Sequence, residues 1–267
     1  FFGNYKTRDV VLRREMRLME GSVLASDKLE RSKIRIQRLS YIEAVEFETR
    51  SVPGTDNQVD IDVTVTERLS GSFNIGAGFS QAQGLLFIVG LTHENLMGTG
   101  QALSVNVNTD RANTVYSVAN TDPFITPDGI SRTLSASYRK RDAAQEEIAN
   151  YLSNSWGLNL SYGIPMSEVN TLRLGVGYNA IDLKIGVSPS LDVVEFIAKN
   201  GNSFDNFSLT ASYSHDTRNR TVFATQGSAQ TVASNVTVPG SDLEYYKVSY
   251  DTKFYIPMTQ ALTLLLH

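Results

Sequence analysis

Along the stretch SFNIGAGFS, Phe73, Ile75, Ala77 and Phe79 alternate with Ser72, Asn74, Gly76, Gly78 and Ser80. A period of two places all the apolar side chains on one face of a strand and the polar ones on the other. The same grammar recurs to the end of the chain. Strands are predicted over 84–93, 101–109, 113–121, 130–141, 154–163, 169–180, 206–216, 226–237 and 243–256, with another beginning at Ala261. Several alternate without a slip. Leu158, Leu160 and Tyr162 oppose Asn159, Ser161 and Gly163, and Leu172, Leu174, Val176 and Tyr178 oppose Arg173, Gly175, Gly177 and Asn179. Near the end, Tyr246, Val248, Tyr250 and Phe254 oppose Lys247, Ser249, Asp251 and Lys253.

Residues 1–68 follow a different pattern. Val11, Leu12, Met16, Leu18 and Met19 share one side of a helix, with Asp9 in its first turn and Gly21 at its C-terminal end. A second helix is expected from Ser26 or Asp27 to about Leu39, with Asp27 and Glu30 spaced as a capping box. Two strands follow: Val45 and Phe47 alternate with glutamates, then Val59, Ile61, Val63 and Val65 alternate with Asp60, Asp62 and Thr64. The turn VPGTDN joins them, and FFG at the start reads as the stub of an earlier strand. This is a small α+β module, 1–68, ahead of an all-β region, 69–267.

The connections of the all-β region sort by rim. NLMGTG, DPFITPDG, IPMSEVN, RNRTVFATQG and IPMTQ are compact and fall on one side, whereas 141–153 and 181–205 are long and fall on the other. Within the second, Ser190 is placed to cap a short helix ending at Gly201, set across the outer mouth. Short turns on one rim and longer loops on the other are the pattern of a transmembrane β-barrel. An alternating strand does not itself say which face meets water, so a large soluble sandwich stays open. Three features favour lipid on the apolar face. The polar faces carry mid-strand charges (Arg173, Lys247, Asp251, Lys253); Trp156, Tyr162, Tyr178, Tyr213 and Tyr246 sit near strand ends; and the strands have the length a tilted spanning strand needs.

Composition narrows the chemistry. A formal net charge of −4 over 267 residues argues against nucleic-acid binding. Without cysteine there is no disulfide framework, thiolate metal site or thiol nucleophile. His93, His215 and His267 lack metal-ligand spacing, and GAGFSQ lacks the last glycine of a dinucleotide loop. No enzyme and no cofactor is expected. Both ends read as cut, which makes the chain a fragment of a longer protein.

The run GNYKTRDVVLRREMRLMEGSVLASDKLERSKIRIQRLSYIEAVEF resembles the POTRA module adjoining the barrel in the BamA family of bacterial outer-membrane insertases. VPGTDNQVDIDVTVTER, SGSFNIGAGFS, ENLMGTGQ, NTDPFITPDGIS and PGSDLEYYKV resemble the first part of that family's barrel. The resemblance implies the last of several POTRA modules, in the periplasm, followed by an antiparallel outer-membrane barrel of about ten to eleven strands out of a larger number. The family's VRGF-type loop and closing strand do not occur in these residues, so they are not expected to close a barrel alone.

The implied function is insertion of β-barrel proteins into the bacterial outer membrane. In the family the first barrel strand forms a lateral gate; here that strand is Ser72, Phe73, Asn74, Ile75, Gly76, Ala77, Gly78 and Phe79. An opened edge would pair with a substrate strand by β-augmentation. Gly76 and Gly78 fit either a labile seam or ordinary strand curvature. Arg13, Arg14 and Glu15 fit either a contact with a partner lipoprotein or a solvated charged face. Implied partners are the assembly-machine lipoproteins, unfolded outer-membrane proteins, periplasmic chaperones and outer-membrane lipids. A POTRA-barrel transporter that moves one partner protein through its pore is the alternative from another class.

Overall fold

The computed structural model describes residues 1–55, 57–81, 84–143, 151–186, 189–220, 224–259 and 262–266. Ala261, His267 and parts of the connections at 141–153, 181–205 and RNRTVFATQG lie outside them. The chain divides into two compact units: residues 1–74 with 91–104, and residues 75–90 with 105–267.

The first unit opens with α1 (Asp9–Arg13), α2 (Ser26–Gln37), β1 (Ile42–Ser51) and β2 (Val59–Glu67). The two strands pair antiparallel, with Val45 opposite Val65 and Phe47 opposite Val63. Their inward residues meet the helices in one core of Val11, Leu12, Ile36, Tyr41, Ile42, Val45, Val63 and Val65. The FFG stub behaves as expected: Phe2 bridges Thr64 in parallel, its N–H donating to Val63 O at 2.9 Å.

The first helix is much shorter than its pattern suggests. Val11 and Leu12 are buried, but the helix stops at Arg13 and Met19 stands 79% exposed. The backbone tightens there, with Glu15 N–H donating to Leu12 O and Met16 N–H to Arg13 O. Arg17 N–H then leaves the helical ladder and donates to Ser32 Oγ on α2 at 2.8 Å. A side chain fifteen residues away has replaced the i−4 carbonyl. The expected capping box is also absent: Ala25 is the N-cap of α2, with no side-chain cap bond.

From Gly71 the chain is a meander. Its strands are β3 (Gly71–Ser80), β4 (Gly84–His93), β5 (Ala102–Thr109), β6 (Asn113–Asp122), β7 (Ser131–Asp142), β8 (Tyr151–Pro165), β9 (Asn170–Ile185), β10 (Ser203–Asp216), β11 (Gly227–Thr237), β12 (Tyr246–Pro257) and β13 (Thr263–Leu266). They form one eleven-stranded antiparallel sheet in sequence order, with β3 and β13 as its terminal strands. It is a partial barrel wall and does not close on itself. A helix, α3 (Leu191–Asn200), lies in the long β9–β10 connection. Ser190 is its N-cap, without a side-chain cap bond, and Gly201 ends it at φ +84°. Phe196 of α3 stacks on buried Phe204 with ring centroids 5.6 Å apart.

Two sides of the sheet differ in crowding. On the polar face, a Cβ added at Gly175 would lie 2.6 Å from Thr210 Oγ1, and one at Gly177 would lie 2.6 Å from Asn159 Oδ1. The apolar face is open. Tyr116, Tyr138 and Trp156 form a ladder there, with centroids 6.2 and 4.5 Å apart. Ile164, Leu172 and Tyr213 are in register eight residues further along β8. That span is about 26 Å along a strand, or roughly 20 Å when tilted, near the height of a lipid-facing band.

Candidate functional site

The free edge of β3 is the site to which the sequence points. On one side β3 pairs with β4; on the other no described strand pairs with it. Phe73, Ile75 and Phe79 project from the apolar face and are all more than 60% exposed. Ser72, Asn74, Gly76, Gly78 and Ser80 take the other face, and Ala77 completes the apolar one, as the alternation requires.

Gly76 and Gly78 differ from the glycines of β8 and β9. A Cβ at Gly76 would come no nearer than 3.8 Å to anything, that atom being Ile88 Cβ; at Gly78 the nearest is Leu86 Cδ1, also 3.8 Å. Those are ordinary contacts. A side chain is crowded at position 175, where backbone Leu160 O would lie 3.0 Å away, and less so at 177, where the side-chain tips of Asn159 and Ser208 would have to shift; at 76 and 78 there is room.

Leu86 and Ile88 themselves were not singled out by sequence reasoning. They lie beside the two glycines on the face that is polar elsewhere, and Ile88 is half exposed. The signal was present in GLLFIVGL, where alternation gives way to a continuous apolar run. The second strand is thus apolar on both faces.

Arg13, Arg14 and Glu15 are consecutive but diverge. Arg13 is exposed, lies over the Phe1 ring at 5.4 Å and pairs with Glu20. Arg14 turns to the Tyr41 hydroxyl. Burial of that phenol outweighs the arginine and pushes its pKa up to about 12. Glu15 is buried and pairs with Arg35 of α2 at 2.7 Å. Of the three, Arg13 offers its charge outward, while Glu15 ties α1 to α2.

Beside them, the Glu67 carboxylate accepts the N–H groups of Lys6 at 3.0 Å and Thr7 at 2.7 Å. Burial alone would raise its pKa, but these hydrogen bonds outweigh it and hold the group below the ordinary glutamate value. His215, at the end of β10, is engaged by Asn170 at 2.7 Å. Among the described residues no group of acidic, histidine or cysteine side chains could hold a metal, and no helix is long and apolar enough to cross a membrane.

Comparison with known proteins now bears on this architecture. The Omp85 superfamily domain matches residues 95–267. The chain belongs to the Omp85 superfamily. The POTRA family, described as a surface antigen variable number repeat, matches residues 1–68. Outer membrane protein assembly factor BamA of Neisseria meningitidis is 29% identical over 99% of this chain and 34% of its own length. The solved BamA of Haemophilus ducreyi lacking POTRA domains 1–3 superposes with a TM-score of 0.81 at 31% identity, covering 97% of this chain and 51% of that one. CdiB of Acinetobacter baumannii shares the fold at a TM-score of 0.61 and 12% identity. The Omp85 chain described here spans about a third of that curated relative's length and half of the solved one's. Its sheet is an outer-membrane barrel wall, and its POTRA module is periplasmic.

Proposed function

We propose that this Omp85 chain is the part of an outer-membrane protein insertase that holds the template edge. β3 receives a strand of an unfolded outer-membrane protein, satisfies its backbone groups and delivers it to the bilayer. The observation that carries this reading is the likeness to outer membrane protein assembly factor BamA over 99% of this chain, with β3 as the first strand of the sheet and Phe73, Ile75 and Phe79 exposed on its apolar face. In hydrocarbon an unpaired edge is costly, so any strand that completes it is held. No catalytic group or cofactor is needed, because the free energy comes from pairing and burial.

Periplasmic chaperones would deliver the substrate, lipoproteins of an assembly machine would dock on the module, and outer-membrane lipids would cover the apolar face. Arg13 is the member of the Arg13–Glu15 run best exposed for such docking; Arg14 and Glu15 would act by holding the helix in place. The transporter alternative has no observation of its own behind it.

A photo-crosslinking residue at Asn74, Gly76 or Gly78 of the full-length protein in cells tests the edge. Adducts with nascent outer-membrane proteins, strongest with a stalled substrate, are expected. Adducts confined to the protein's own strands, with normal substrate assembly, would remove the edge from the mechanism.

A further inference from the structure

The motif ENLMGTGQ is left unexplained by an edge-templating function. It forms the turn from β4 to β5 and belongs to the same compact unit as the POTRA module. Its contacts are specific. Asn95 is 5% exposed. Its Nδ2 donates to Thr7 Oγ1 at 2.8 Å, and its Oδ1 accepts the Gly100 N–H at 2.8 Å. Arg8 N–H donates to Gly98 O at 2.9 Å.

The two glycines are at φ +74° and +71°, where other residues are strained. Both also lack room for a side chain. A Cβ on Gly98 would lie 1.9 Å from Lys6 O, and one on Gly100 would lie 3.0 Å from Val11 Cγ1, with the Arg14 guanidinium closer still. The turn is therefore pressed against segment 4–8 and the start of α1. From the other side, Glu67 holds Lys6 and Thr7.

The same turn grips the base of the edge strand. Glu94 N–H donates to Ser70 O at 2.8 Å, Ser70 Oγ lies 3.4 Å from His93 Nε2, and the Glu94 carboxylate accepts the Ser40 hydroxyl. Ser70 immediately precedes β3.

We propose that the turn Glu94–Gln101 is a clasp, with Asn95 as its keystone, that joins segment 4–8 of the POTRA module and the base of β3 into one mechanical body. A load applied to the module is thereby passed to the root of the edge strand. Asn95 is a positioning residue in this scheme and touches no substrate. Its buried amide serves both sides at once, so truncating it leaves Thr7 and Gly100 without that partner.

The test is amide hydrogen exchange on the full-length protein folded in lipid vesicles, which needs no substrate and is independent of the insertase reading. Asn95→Leu keeps the bulk and removes both hydrogen bonds. Asn95→Asp keeps an acceptor for Gly100 but has no donor for Thr7, whose own hydroxyl is engaged by Glu67. Asn95→Leu is expected to speed exchange about tenfold at Arg8 and Gly100 and also at residues 71–74, leaving β8 and β9 unchanged, and Asn95→Asp is expected to spare Gly100 while still speeding Arg8 and 71–74. Thr7→Val, which removes one bond, serves if Asn95→Leu does not fold and should give the same pattern more weakly. Faster exchange at Arg8 and Gly100 with 71–74 unmoved would reduce the turn to a local cap and overturn the clasp. So would Asn95→Asp keeping full protection at Arg8 and 71–74, or acceleration spread evenly through the sheet.

Discussion

Glu67 has two backbone N–H groups aimed at one carboxylate, and that geometry sets a pH dependence. The folded protein favours the ionised form, so the pKa lies below its unfolded value. The stabilisation is then complete above the ordinary glutamate pKa and is lost as pH falls through the lowered folded value. Protection of the Lys6 and Thr7 amides, corrected for intrinsic exchange rates, should be flat from neutral pH to about 4.5 and decline below it. Glu67→Gln should flatten the profile. The pairing was not legible in the sequence, because Glu67 and Thr7 are sixty residues apart and nothing in TVTER marks the glutamate as a cap. The divergence of Arg13, Arg14 and Glu15 was equally hidden. A charge run shows polarity, but the helix's short length and Arg35 on α2 decide which way each side chain goes.

At the scale of elements, period-two patterning was decisive and end effects were not. The β5, β6 and β7 strands lie within a residue or so of where alternation puts them, because each must turn one face to lipid and the other inward. β8 and β9 run past their expected ends into the outer loops, where pairing with each other continues beyond the apolar band. α1 stops at Arg13, and beyond it Ser32 Oγ takes the Arg17 N–H. The glycines of alternating strands look alike in sequence, and only the neighbouring strand separates them. Gly175→Ala should destabilise the folded barrel by about 1–3 kcal/mol through overpacking against Leu160 O, Ser161 and Thr210, and Gly177→Ala by less, because the Asn159 and Ser208 tips can shift. Gly76→Ala and Gly78→Ala should stay within about 0.5 kcal/mol. Urea unfolding midpoints in vesicles of the full-length protein would show the difference. A loss of substrate assembly in the last two variants, with stability intact, would tie those glycines to the edge's work and not to curvature.

For the whole molecule, the sequence disclosed a membrane wall and a periplasmic module, and it left their fastening unseen. The turn motif NLMGTG read as compact punctuation; its reason is a steric fit to residues far away in the chain. The aromatic ladder gives the molecule one further property. Trp156 is the only tryptophan in these 267 residues. It sits on the apolar face, stacked near Tyr138 and more than half exposed. Its emission in residues 1–267 therefore reports one position, at the lipid interface near the outer rim. On insertion of the full-length protein into vesicles, the Trp156 contribution, read as the difference from Trp156→Phe, should shift to shorter wavelength, and lipids brominated at successive chain depths should quench it most strongly at the shallow positions. Trp156 is thus an intrinsic optical depth marker on this stretch of wall, and the arrival of β8 in a bilayer can be timed without a label.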